Sequence, residues 1–469
     1  MAKTSLDKII ILITTLLVIY FSRWTFFYKF DPVYWENFYY ESQWNIPNSR
    51  RVISDGGVSR FVGYKLVNGE NPFDIDYWVP PAGKYIYGLS AKFLNNPYFA
   101  SLGFYFSLIS VTLLLSTFLF KKRFEITVAT LLVATNPLIT DQITRTMLDL
   151  PQALFLTTHI FFLFKFSKQK KLKNLLLSSV FLGLALGTKI GYFVPTVAII
   201  DTLYLIKNKT KPKNFLLFGI FILSGYVLAY FCYFIRHPNP FPWIRLHQKI
   251  IDFWSGTPLL PSPYNFFTFI FSNKFFQILG NERVWMDSSV WSIIFPTSFI
   301  SLIYNLTKKQ KGTNINYLTY FSFAWIILLT LIDFWPRYLV SLIPILILLL
   351  VNNLKNKKWL LGIILLLNLI GLKNHIFPNP IKTLKQISQD INTSCYKEIY
   401  QFSLKNKFDQ NQFLSFWQNL NIEQSQFTGW QKQDNQVVGN YNINNQNQLK
   451  ITLSKINNQW KISNYSLID

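Results

Sequence analysis

Eleven apolar runs, each close to the ~20 residues that a helix needs to cross a bilayer, alternate with short clusters of Lys and Arg. The runs are 9–27, 97–120, 124–140, 150–166, 175–189, 192–206, 215–235, 291–306, 315–332, 337–351 and 359–372. Threading them back and forth puts the basic clusters 121–123, 168–173, 207–213, 308–311 and 355–358 on one side. The long loops 28–96 and 236–289 and the C-terminal tail fall on the other. That asymmetry is the positive-inside pattern. It predicts an all-α polytopic membrane protein of about eleven transmembrane helices, since ~20 apolar residues make one span. The N-terminus lies in the cytoplasm and the C-terminus outside it.

The net charge of +24 could suggest a nucleic-acid partner. Its distribution argues against one, because the Lys residues sit between apolar runs rather than on one polar face. Only 14% of residues are charged, against ~25% in a soluble globular domain. The first run is long for a signal sequence. Arg23 and Trp24 fall where a small-x-small cleavage site would be, so the run reads as an uncleaved span. Two cysteines, Cys232 and Cys395, and four scattered His provide no Cys/His metal site. The few Cys and short loops suit a bacterial-type plasma membrane.

Two regions stand apart from the spans. Residues 1–374 read as the transmembrane domain, and 375–469 as a small α+β domain outside the cytoplasm. Within the tail, 381–402 shows mixed helical periodicity. The final LKITLSKINNQWKISNYSLID alternates as two strands joined by Asn457 and Asn458. The first long loop holds seven of the chain's 22 acidic residues: Asp31, Glu36, Glu41, Asp55, Glu70, Asp74 and Asp76. Its middle, rich in Gly, Pro, Asn and Asp, reads as irregular. From Pro81 onward, Tyr85, Leu89 and Phe93 recur at helical spacing. They predict a short amphipathic helix on the membrane surface.

A carboxylate or cation at the centre of a span is unfavourable by roughly 2.5–3.5 kcal/mol. Charged residues in such a chain belong at span ends or in a polar cavity. Asp31, Arg145, Asp149, Lys189 and Arg337 all fall at outer ends of runs. Each alone could be an anchor or a structural ion pair; together they predict a cavity carrying both signs of charge. Such a site suits a substrate with a lipid tail in the membrane and a phosphate at its surface. Cations would stabilise a departing phosphate, and a carboxylate would take a proton from an acceptor hydroxyl.

Five segments carry a resemblance, in order along the chain. FDPVYW (from Phe30), VPPAGKYIYGLS (from Val79), ITRTMLDLP (from Ile143), LGLALGTKIGYF (from Leu182) and WPRYLVSLIP (from Trp335) resemble motifs of the protein O-mannosyltransferase family. That family belongs to the GT-C superfamily of integral-membrane glycosyltransferases. The resemblance implies an inverting transfer of a sugar, mannose in the family itself, from a polyprenyl-phosphate donor. The acceptor would be a protein, lipid or glycan hydroxyl at the outer face. It implies Asp31 as general base and Asp149 as a second catalytic carboxylate. Lys84, Arg145, Lys189 and Arg337 would hold the lipid phosphate. Pro32 and Tyr34 replace the family's Glu and His after that Asp, and Glu36 could supply the missing carboxylate. No metal is assigned: a divalent cation stays an option only, because one Asp without its neighbouring Glu makes a poor site. Two rival readings are a transporter or flippase of lipid-linked sugars, which would favour internal repeats and midplane sites, and a non-catalytic membrane scaffold.

Overall fold

The computed structural model describes residues 3–46, 49, 53–189, 193–256, 263–279, 282–308, 312–376, 425–433, 436–443, 447–456 and 459–468. Contacts divide the chain into two units, one of Met1–Pro32 with Asp55–Leu372 and one of Val33–Ser54 with Lys373–Asp469. Helix α1 (Lys3–Phe21) leads through a 3-10 turn, Arg23–Phe27, to α2 (Pro32–Tyr40). The first long loop then folds into α3 (Asp55–Asn68), α4 (Pro72–Ile75) and α5 (Ala82–Leu94). Next come α6 (Tyr98–Leu119), α7 (Arg123–Ala134), α8 (Pro137–Asp141), α9 (Asp149–Gln169), α10 (Leu172–Leu186), α11 (Phe193–Lys207), α12 (Pro212–Leu228) and α13 (Phe231–Arg236). The second long loop holds α14 (Pro240–Gly256), α15 (Pro263–Ser272) and a hairpin of β1 (Lys274–Leu279) and β2 (Glu282–Asp287). Helices α16 (Ile294–Thr307), α17 (Thr313–Thr330), α18 (Ile343–Leu354) and α19 (Lys358–Ile376) follow.

Each of the eleven apolar runs falls on a helix. Among the described residues, α6 and α19 are each long and apolar enough to cross a membrane, and α7 with Pro137–Thr144, bent by 46°, forms either a broken span or a re-entrant loop. The rest are shorter or more polar. A helix of 15 residues such as α10 rises only ~22 Å, less than the ~30 Å hydrocarbon core. Several runs are interrupted where the backbone turns. Residues 215–235 divide between α12 and α13, and 337–351 begins in a 3-10 turn, Pro336–Leu339. Large aliphatic side chains stand outward on α1 (Ile13, Leu16, Leu17) and α19 (Leu366, Leu367, Ile370). Surface of that kind suits lipid rather than water.

The middle of the first loop is not irregular, as its composition suggests. It contains α3, a helix of 14 residues. Val58, Phe61, Val62 and Leu66 are buried at helical spacing. The glycines that weaken its intrinsic propensity are needed for packing. A Cβ on Gly63 would lie 2.1 Å from the Lys84 carbonyl oxygen, and one on Gly88 would lie 2.0 Å from the Gly63 carbonyl oxygen. Helices α3 and α5 therefore meet backbone to backbone. Gly63→Ala is expected to force them apart and to lower stability by ~1–3 kcal/mol, as overpacking does. Thermal unfolding in detergent measures this, and an unchanged midpoint would rule out the close crossing.

The predicted surface helix is α5. Its Leu89 and Phe93 are exposed, while Tyr85 is buried. Asn95, at φ 51, caps its end in the left-handed conformation that Asn tolerates.

In the second unit, β3 (Ser425–Gln433), β4 (Gln436–Ile443), β5 (Asn447–Ile456) and β6 (Gln459–Ile468) form an antiparallel meander in that order. The expected terminal hairpin is β5–β6, with Ile456 opposite Gln459. Leu449, Ile451 and Leu453 alternate onto one buried face, with Tyr441 opposite Leu449. The stretch 381–402 lies outside the described residues.

Candidate active site

The loop between α8 and α9 is built first. Asn136 caps α8 by accepting from the Leu138 and Ile139 amides, with Pro137 in the first turn. The helix is short, and Asp141 at its end accepts from Arg145 Nε at 2.5 Å. Thr146 follows at φ 46, a strained value for a β-branched residue. What holds it there is α3. Thr146 Oγ1 donates to the Gly56 carbonyl at 2.8 Å, and a Cβ on Gly56 would lie 2.0 Å from the Arg145 carbonyl oxygen. Tyr87 on α5 donates to the Met147 carbonyl at 2.8 Å. Asp149 then opens α9 and is held by packed backbone on two sides.

Three further elements converge on this loop. Lys189, just past α10, donates through Nζ to Asp149 Oδ1 at 2.7 Å. The same ammonium lies 4.2 Å from the centroid of the Tyr338 ring, a cation–π distance. Gln152, one turn along α9, donates to the Lys189 carbonyl at 3.1 Å and accepts from Ser341 at 3.2 Å. Arg337, in the 3-10 turn before α18, pairs through Nη2 with Asp55 Oδ2 at 2.6 Å. Its Nη1 faces Met147 Sδ at 3.7 Å, and its guanidinium lies beside the Trp335 and Tyr338 rings.

The start of α5 adjoins this group. The Ala82 amide donates to the Gly187 carbonyl at 2.9 Å. Lys84, fully buried, donates to Asp76 Oδ2 and, at 2.8 Å, to the Val79 carbonyl. Burial pushes the Asp76 carboxyl up and the Lys84 ammonium down, and each partner opposes the other's shift. Asp55 is near enough to act electrostatically on both.

The structure thus brings Arg145, Asp149, Lys189 and Arg337 to one place, with Lys84 alongside. Asp31 lies just before α2. Asp31 is exposed and follows Phe30, whose amide donates to the Asn95 carbonyl at 2.9 Å. That ties the Phe30 backbone to the C-terminal end of α5, while the Phe30 ring packs on Tyr64 of α3. Glu36 lies on α2, in the second unit. Asp55, Asp76 and Asp141 are the partners the sequence reading assigned no role. Among the described residues, no group of three or more His, Cys, Asp and Glu is placed to hold a metal ion.

The fold has a counterpart among solved structures. The crystal structure of ArnT from Cupriavidus metallidurans bound to undecaprenyl phosphate matches with a TM-score of 0.51 at 12% identity, over 89% of this chain and 68% of that one. This chain shares the fold of that protein. The apo structure of the same ArnT gives a TM-score of 0.46 at 14% identity, over 78% of this chain and 63% of that one. The family model for dolichyl-phosphate-mannose-protein mannosyltransferase matches residues 79–235. That span contains Lys84, Arg145, Asp149 and Lys189, so the resemblance to this family rests on more than the quoted motifs. No curated protein sequence matches the chain.

Proposed function

We propose that this chain is a GT-C glycosyltransferase that transfers a sugar from a polyprenyl-phosphate donor to an acceptor hydroxyl, with inversion at the anomeric carbon. The observation that carries this reading is the convergence of Lys189 and Arg337, flanked by the Tyr338 and Trp335 rings, at one end of the helices. Those cations suit a phosphate, and the rings suit a sugar or isoprenoid face.

In the proposed reaction the acceptor oxygen attacks the anomeric carbon as its proton passes to Asp31. The bond from that carbon to the phosphate oxygen breaks, and its electron pair leaves with polyprenyl phosphate. The centre is oxocarbenium-like in between. Lys189 and Arg337 stabilise the charge growing on the leaving phosphate, with Lys84 and Arg145 as further phosphate contacts and Asp149 orienting Lys189. Inversion requires base and leaving group on opposite faces of the sugar. Asp31 and the cation cluster must therefore flank the donor from different sides. Glu36 remains the second candidate carboxylate.

We further read residues 1–374 as the membrane domain, with about eleven spans by the ~20-residue yardstick, and the tail as an extracytoplasmic domain. The membrane would be a bacterial-type plasma membrane with the N-terminus inside. The test is sugar transfer by purified protein in lipid, offered a panel of radiolabelled polyprenyl-phosphate sugars. Release of polyprenyl phosphate from one donor is expected and names the sugar. Failure both to turn over and to bind any donor would overturn the enzyme reading.

A further inference from the structure

Every cation of the candidate site already has a carboxylate. Lys84 is paired with Asp76, Arg145 with Asp141, Lys189 with Asp149 and Arg337 with Asp55. A cluster neutralised in this way attracts an anion only if one pair can open. The pairs differ in what opening would require. The side chains of Asp76, Asp149 and Asp141 are only 1%, 5% and 8% exposed. Losing a cation would leave each one charged and uncompensated out of water, which is strongly unfavourable. The side chain of Asp55 is 53% exposed. Released from Arg337, it can point into solvent from the first turn of α3, where a carboxylate is also favoured by the helix dipole.

The Arg337 side of the pair is equally suited to exchange. Asp55 engages Nη2, Nη1 meets the Met147 sulfur, Tyr338 adds a side-chain hydrogen bond, and Nε is buried with no hydrogen-bond partner. A guanidinium offers five donors in a planar fork, and here one of them, Nε, is buried without a partner and another meets only a sulfur. The phosphomonoester of the released lipid, with three free oxygens and more charge than a carboxylate, satisfies that fork better.

We infer that Asp55 is a displaceable counter-ion: it neutralises Arg337 in the empty site and yields the guanidinium to the lipid phosphate on binding. The inference rests on the lipid-phosphate reading above and deepens it. Asp55 is then a positioning residue that sets how tightly donor and product are held. It keeps Arg337 extended toward the site when empty, and by competing it speeds release of the product phosphate.

The experiment uses the full chain in lipid nanodiscs with undecaprenyl phosphate as probe. Asp55→Asn keeps the shape and a hydrogen-bond acceptor but removes the charge. It is expected to bind the probe about fivefold more tightly, the effect of deleting one partly exposed competing charge. In turnover it lowers KM and kcat together, because product leaves more slowly. Asp55→Glu, which keeps the charge, stays near wild type. Asp55→Ser is a second neutral variant should the Asn protein fold poorly. A merely structural pair predicts weaker binding in both neutral variants. Unchanged or weaker binding there, with wild type binding normally, overturns the counter-ion role and leaves the transferase reading standing. No binding by any of the proteins, wild type included, overturns both.

Discussion

Asp31→Asn is expected to lower sugar transfer by ~10²–10⁴-fold, the range that a lost general base typically removes. The substitution is nearly isosteric, and its amide cannot take the acceptor proton. Asp31 is exposed, and its backbone position is set by neighbours. The Phe30 amide is tied to Asn95, and the Phe30 ring packs against Tyr64 at 5.2 Å. The variant should therefore fold and bind donor as wild type does. The discriminating assay is a single turnover with donor pre-bound, which separates the chemical step from binding. Loss of rate with donor affinity intact supports the base. Near-normal turnover would remove Asp31 from that role and pass it to a carboxylate of the cation cluster.

The residues that lay at predicted run ends were legible because a membrane constrains charge placement so strongly. Arg145, Asp149, Lys189 and Arg337 could be picked out by that rule alone, and they do converge. Their partners could not. Asp55 and Asp76 belong to a loop full of acidic residues, and nothing in local pattern says which of them a distant cation will choose. The pairing of Asp55 with Arg337 joins positions far apart in the chain, so it exists only once α3 has docked. Helix α3 itself was hidden by its glycines. Read locally, Gly56, Gly57 and Gly63 argue for turns. Read with Val58, Phe61, Val62 and Leu66, they belong to a helix whose backbone must approach its neighbours. Tertiary contact overrides propensity there. In the tail, the alternation of Leu449, Ile451 and Leu453 announced β5. The strands β3 and β4 are rich in Gln, Asn and Gly, and gave little local signal.

A second large effect is expected from a buried polar group that the proposed chemistry does not use. Asp201→Ala should lower stability by ~1–3 kcal/mol, the range for leaving a buried hydrogen-bonding group without its partner. Asp201 on α11 is fully buried, and Tyr317 on α17 donates to its Oδ1 at 2.6 Å. His159 Nε2 on α9 stands 3.1 Å from Oδ2, close enough for attraction though off the line of a hydrogen bond. The other ring nitrogen, Nδ1, lies 2.9 Å from both the carbonyl and the hydroxyl oxygen of Ser178 on α10. Four helices thus share one polar knot surrounded by apolar side chains. Removing the carboxylate leaves the Tyr317 hydroxyl without its acceptor in a medium that cannot replace it. Replacing His159 as well by an apolar side chain removes the buried pair as a whole, so the double variant His159→Leu with Asp201→Leu should be more stable than Asp201→Ala alone. Thermal unfolding of the three proteins in the same detergent decides it. If Asp201→Ala melts with wild type, the knot does not tie the helices together. If the double variant melts lowest of all, the two residues act independently, and their contact contributes nothing.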